Sequence, residues 1–89
     1  MAVFGTGDQV KYSEYFADAM GMVADRMLSR GCIPIGQTSV EGYEFEYSRA
    51  QREDQFVGLV IDNENQPELT DVRVAAWVEQ LKKEIGLPA

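Results

Sequence analysis

Carboxylates are the residues with most chemical scope in this sequence: 15 Asp and Glu stand against 8 Lys and Arg, with no histidine. Glu44 and Glu46 alternate with Tyr43, Phe45 and Tyr47. On a strand the two glutamates would project from one side about 7 Å apart, a separation compatible with paired acid and base carboxylates in glycoside cleavage. That chemistry also needs a cleft and one carboxyl group with a raised pKa, whereas an open sheet face leaves both groups ionised and hydrated. The lack of histidine removes the usual general base near neutral pH, the commonest zinc ligand, and every Ser-His or Cys-His nucleophile pair. Cys32, the only cysteine, follows Gly31 and reads as an apolar residue packed against the preceding helical turn. A single cysteine allows no intramolecular disulfide and points to a reducing, cytoplasmic setting.

Two ligand motifs are tested and fail. Asp62, Asn63, Glu64, Asn65 and Gln66 resemble the start of a calcium loop, because alternate oxygen side chains are what such loops offer. Pro67 then occupies the place of the turn glycine, and Arg73 that of the bidentate glutamate. Gly5-Thr6-Gly7 lacks the third glycine and the preceding strand of a phosphate-cradling loop. No catalytic residue, metal ligand or cofactor is expected, and the chain reads as a non-enzyme.

What remains is charge. Glu14, Asp18 and Asp25 sit at spacings of four and seven, which on a helix brings them within about 40° of one another along roughly 16 Å. They lie opposite the apolar residues Phe16, Met20, Val23 and Met27. Glu41, Glu44 and Glu46 form a second acidic patch if the aromatic face of their strand is turned inward. A hydrated surface explains such patches, and net charge alone keeps a small protein soluble. The functional alternative makes these six carboxylates a partner-binding surface that imitates a row of phosphates and fills a basic groove.

The elements that must position these groups follow from periodicity. Residues 13–30 form an amphipathic helix, with Ser13 as N-cap and Gly31 as the stop. Pro34 restricts residues 32–35 to a short edge strand at most. Residues 43–47 alternate as a strand, and residues 56–61 are apolar on both faces, as a central or doubly covered strand should be. The two are expected to pair as a hairpin. Residues 63–67 are turn chemistry, and a second helix begins near Thr70 or Asp71, with Val74, Trp77, Val78, Leu81 and Ile85 on one face. Gly86 and Pro88 end it. The expected fold is therefore α+β: a small antiparallel sheet of two or three strands packed against an N-terminal and a C-terminal helix, in the order αββα or αβββα. Residues 1–89 would be a single domain, with 1–10 an arm that is loose or lends Val3 and Phe4 to a sheet edge.

A net charge of -7 repels phosphate backbones and anionic lipid, which argues against direct nucleic-acid or membrane-surface binding. No apolar run approaches the roughly 20 residues of a membrane span. These readings converge on a cytoplasmic, non-catalytic binding protein. The leading expectation is a stoichiometric inhibitor or modulator of a larger basic protein, of the phage anti-restriction, anti-CRISPR, antitoxin or immunity type. A structural or accessory subunit of a complex, with a homodimer possible, is the alternative, and a small carboxylate-dependent enzyme a distant third.

Overall fold

The computed structural model describes residues 1–86; Pro88 lies outside the described residues. Its elements are β1 (Phe4–Thr6), α1 (Asp18–Ser29), β2 (Thr38–Ser39), β3 (Gln51–Arg52), β4 (Gln55–Phe56), β5 (Leu59–Ile61) and α2 (Thr70–Glu84), the last entered through a 3-10 turn at Pro67–Leu69.

The sheet that organises the chain is parallel. β1 pairs with β5 in the register Phe4 to Leu59, Gly5 to Val60 and Thr6 to Ile61. Successive side chains of a strand point to opposite faces, and the two helices occupy those two faces. The Phe4 ring meets Trp77 of α2 edge-on at 6.2 Å, whereas a Cβ on Gly5 would stand 3.0 Å from the Met20 Cβ of α1. A second sheet is antiparallel, in the order β2-β4-β3, with β3 and β4 joined through Glu53, which has φ 59.

This corrects the expected all-antiparallel αββα or αβββα arrangement. The apolar run 56–61 is not one strand. Phe56 belongs to β4, the chain bends at residues 57–58, and only Leu59–Ile61 enter the parallel pair. Gly58 permits the switch because a Cβ there would collide with the Val3 carbonyl. Residues 43–47 are not a strand either. Their alternation is real, since Tyr43 and Phe45 turn inward while Glu44 and Glu46 stay exposed, but Glu46 and Tyr47 donate their N–H groups to the Ser13 carbonyl rather than to a neighbouring strand. The hairpin lies instead at Gln51–Phe56, and of the two runs expected to form it only Phe56 takes part.

α1 starts five residues later than its periodicity predicts. Ala17 takes a left-handed conformation at φ 55 and Ser13 caps nothing. Its buried residues are Met20, Gly21 and Ala24, so the face in contact is the one that carries small residues. Gly21 allows this: a Cβ there would lie 2.5 Å from the Arg49 carbonyl. Val23, expected inside, is 53% exposed. The helix ends as expected at Gly31, φ 88, with the Cys32 N–H reaching the Met27 carbonyl.

The core is an aromatic cluster between α1 and the segment from β2 to β5. Phe16, Phe56 and Val60 are fully buried. Phe16 and Phe45 stand 5.2 Å apart, Phe45 and Phe56 5.4 Å, and Tyr43 and Phe56 5.0 Å, separations at which tilted rings attract beyond their buried area. α2 contributes no fully buried residue. It is held by Trp77, whose indole N–H donates to the Gly36 carbonyl at 2.8 Å, and by Glu84, which accepts the Gly36 N–H at 3.0 Å. Among the described residues no helix is long and apolar enough to cross a membrane.

Candidate functional site

In a parallel sheet the carboxyl ends of the strands open on the same side, and the loops that leave them are where such folds bind ligands. Here β1 and β5 end side by side, with the Gly7 N–H donating to the Ile61 carbonyl at 3.0 Å. The two loops that follow are fastened together by a buried polar cluster.

Asp62 is its centre. The residue is fully buried, yet each carboxylate oxygen is satisfied. Oδ2 accepts the Gln9 main-chain N–H at 3.0 Å, the Gln9 side-chain Nε2 at 2.8 Å and the Asn65 Nδ2 at 2.9 Å. Oδ1 accepts the Glu64 and Asn65 N–H groups at 3.1 and 3.0 Å. Burial pushes the Asp62 carboxyl pKa up, and the hydrogen bonds from Asn65 and Gln9 more than reverse this, leaving it below its ordinary value. Asp8 organises the first loop: its Oδ1 accepts the Lys11 N–H at 2.8 Å, the Val10 N–H at 3.1 Å and the Asn65 Nδ2 at 2.7 Å. The Lys11 N–H, then Asn65, hold the Asp8 pKa below its ordinary value.

Two further ties complete the frame. Gln9 Oε1 accepts the Glu44 N–H at 2.5 Å, and the Phe16 N–H donates to the Tyr47 carbonyl at 3.2 Å. Behind this, Tyr43 donates its hydroxyl to the Val60 carbonyl at 2.6 Å and lies under the Arg73 guanidinium, 4.0 Å from the ring centroid. Burial raises the Tyr43 pKa. A cleft of about 390 Å³ opens between the two loops, bordered by Gln9, Val10, Tyr43, Glu44, Asn65 and Gln66. The loop tip carries Val10, Lys11, Tyr12 and Tyr15 outward, with Tyr12 53% exposed and the Lys11 ammonium 5.5 Å from its ring centroid. An exposed planar ring on a loop clamped at its base is suited to stacking on another planar group.

The six carboxylates expected to bind a partner do not form a single ridge. Glu14 precedes α1 and lies in the loop, sharing a shallow cleft with Glu46. Asp18 opens α1 and accepts the Arg49 N–H at 2.8 Å. Asp25 forms an ion pair with Arg52. Glu41 and Glu44 are exposed, with Glu44 beside the cleft of the paired loops. The structure thus gathers Glu14, Glu44 and Glu46 around the loop and disperses the others. Asp8, Gln9 and Tyr12 do not stand out in the sequence. Asp62 and Asn65 do, as part of a calcium-like string, but the Asp62 oxygens accept the protein's own N–H groups and Asn65 donates its Nδ2 to Asp62 and Asp8.

No family model matches the chain. It is 52% identical over 87 residues to a flavodoxin of Synechococcus elongatus, covering 98% of this chain and 51% of that protein. It is 47% identical over 87 residues to a flavodoxin of Nostoc sp., and 47% identical over 88 residues to flavodoxin 1 of Escherichia coli, again half of that protein's length. Among solved structures, Fusobacterium nucleatum flavodoxin bound to flavin mononucleotide superposes with a TM-score of 0.82 at 33% identity, covering 93% of this chain and 50% of that one. A point mutant of the same protein, also with flavin mononucleotide, gives 0.88 at 34%. The chain therefore spans about half the length of the relatives it matches, and its fold is that of half a flavodoxin, a parallel sheet with helices. These likenesses overturn the expected acidic inhibitor of anti-CRISPR, antitoxin or immunity type, the nucleic-acid mimicry behind it, and the larger basic protein as its target. Flavodoxins are not enzymes, in agreement with the expectation of a non-catalytic chain.

Proposed function

We propose that this chain is a flavin-mononucleotide-binding, electron-transferring segment of flavodoxin type, acting in the cytoplasm between redox partner proteins. The observation that carries the reading is the clamped loop at the carboxyl end of β1, with the exposed ring of Tyr12, in a chain half identical to flavodoxins over nearly its whole length.

The residues present fit one part of the cofactor. Tyr12 offers a face for the planar flavin ring, and the loop backbone around Asp8 and Gln9 is held in place before any ligand arrives, which lowers the ordering cost of binding. Nothing among the described residues makes a glycine-rich phosphate cradle, so the phosphate end calls for residues beyond these. When bound, the cofactor supplies the redox centre that takes up and passes on electrons. Glu14, Glu44 and Glu46 border the same loop and are the residues a redox partner would meet first. Their charge, with that of Asp8, opposes the arrival of an electron and so favours its release, weakened by solvent at these exposed positions.

The test is titration of flavin mononucleotide with the chain, alone and together with the part of the Synechococcus elongatus flavodoxin that it does not match, followed by flavin fluorescence. Stacking on Tyr12 predicts quenching that is lost in Tyr12→Ala. Equal quenching in both forms, or none in either mixture, refutes the reading.

A further inference from the structure

We infer that Lys11 determines which charge state of a stacked ring this site prefers: its ammonium, held beside the Tyr12 ring, favours the planar group when that group carries extra negative charge. The inference rests on the flavin reading and deepens it, because it names the residue that separates reduced from oxidised cofactor in binding strength.

Lys11 and Tyr12 are fixed relative to each other by the turn they share. Asp8 Oδ1 accepts the Val10 and Lys11 N–H groups, the Tyr12 N–H donates to the Asp8 carbonyl at 3.0 Å, and the Tyr15 N–H donates to the Tyr12 carbonyl at 3.1 Å. An aspartate that bonds the N–H groups two and three residues on stabilises such a turn. Both side chains leave it exposed, and the ammonium comes to 5.5 Å from the ring centroid, within the range at which a cation is drawn to the negative face of an aromatic ring.

No carboxylate among the described residues neutralises that ammonium. Their ion pairs join Asp25 to Arg52 and Glu79 to Lys82; Glu14 and Glu46 line the same shallow cleft as Lys11, but neither pairs with it. Across residues 7–16, 41–47 and 62–66, the stretches that build the site, Lys11 is the only basic residue. Arg73 of α2, the other cation near these loops, lies over Tyr43 and donates to Gln66. The site therefore has one uncommitted positive charge, next to its exposed stacking ring, in an otherwise negative surround.

The distance sets the size of the effect. Stacked rings have their centres about 4.5–7 Å apart, so with the ammonium 5.5 Å from the Tyr12 centroid the charge stands within roughly 12 Å of the stacked group, whichever face that group takes. A flavin that receives two electrons from a redox partner together with one proton gains one negative charge. At about 10 Å and an effective dielectric constant of about 40–80, attraction to a unit positive charge favours the reduced form about 2- to 4-fold. Most of this is screened at 0.15 M salt, where the Debye length is about 8 Å, and most is kept at 0.01 M, where it is about 30 Å.

The experiment uses the flavin-loaded preparation of the titration above at about 0.01 M salt. It measures the dissociation constant of oxidised flavin mononucleotide by fluorescence and the ratio of reduced to oxidised constants from the potential of bound against free flavin. Lys11→Met is expected to raise that ratio about 2- to 4-fold and Lys11→Glu about 4- to 16-fold, with the change shrinking at about 0.5 M salt. Lys11→Arg, which keeps the charge, and Lys83→Met, in the last turn of α2, are expected to leave it unchanged. In the chain without flavin, the Lys11 ε-methylene protons are expected to show an upfield ring shift that Tyr12→Leu removes. An unchanged ratio in Lys11→Met, an equal loss of affinity for both forms, or the absence of the ring shift overturns the inference and leaves the proposed function standing. Absence of quenching in the wild type removes the proposed function and this inference with it.

Discussion

Replacing Asp62 with alanine tests how the two loops are joined. In the wild type the carboxylate receives five donors: the Gln9 N–H and Nε2, the Glu64 N–H, and the Asn65 N–H and Nδ2. The Glu64 and Asn65 groups lie near solvent and can turn to water. The two bonds from Gln9 are buried, and each donor left without an acceptor costs about 1–3 kcal/mol. Asp62→Ala is therefore expected to lose about 2–6 kcal/mol, a large part of the roughly 5–15 kcal/mol that holds a small domain together. Asp62→Asn keeps the shape and one acceptor oxygen and should lose less, about 1–3 kcal/mol. Urea unfolding followed through Trp77, the only tryptophan, gives the totals, and hydrogen exchange at the Gln9 amide shows whether the loop opens locally first. A loss below about 0.5 kcal/mol in the alanine variant, with the Gln9 amide still protected, would refute the claim that Asp62 holds the frame.

Further expectations follow from the same geometry. Both Asp8 and Asp62 have folded pKa values below their ordinary 3.8, so the stability they contribute is present above that value and lost as pH falls through the lower folded values; acid titration of Asp62→Asn should show a shallower loss over that range. Gly21→Ala should destabilise by about 1–3 kcal/mol despite the roughly 1 kcal/mol that alanine gains in a helix interior, because its Cβ meets the Arg49 carbonyl; urea midpoints decide the sign. Gly58→Ala should lose about 4 kcal/mol or more and break the β1-β5 pair, visible as rapid exchange of the Leu59 amide. Tyr12→Ala should leave the unfolding midpoint near wild type and raise the dissociation constant for flavin mononucleotide about 10-fold, read by calorimetry.

Local signals in the sequence reach only as far as local causes. The stop of α1 at Gly31 and the start of α2 at Thr70 are legible because a left-handed glycine and a turn-rich entry act within a few residues. The inward turn of Tyr43 and Phe45 is legible too, since alternation reports which side chains are covered. It does not report what the backbone bonds to, and the backbone partner proved to be the Ser13 carbonyl. The strand Phe4–Thr6 is legible only as an arm that is loose or lends Val3 and Phe4 to a sheet edge, because three residues carry no period and their partner Leu59–Ile61 lies far along the chain. The division of the run 56–61 depends on the Val3 carbonyl crossing at Gly58, a contact no local pattern contains. The site is hidden for the same reason: Asp8, Gln9, Asp62 and Asn65 become one cluster only after β1 and β5 are laid side by side. Charge, the loudest signal, does not survive as one ridge, because Asp18 accepts the Arg49 main-chain N–H and Asp25 pairs with Arg52.

An electron carrier works quickly when its frame barely shifts as charge comes and goes. The segment from Asp8 to Phe16 is anchored at Gln9, Ser13 and Phe16 to two different stretches of chain, Asp62 and residues 44–47, so the side chains at its tip are the ones left free to respond. In the proposed electron-transferring role, such a mount would keep the reorganisation that accompanies each transfer small. It also means that speed would be set by the distance and orientation of the partner rather than by slow rearrangement of the loop.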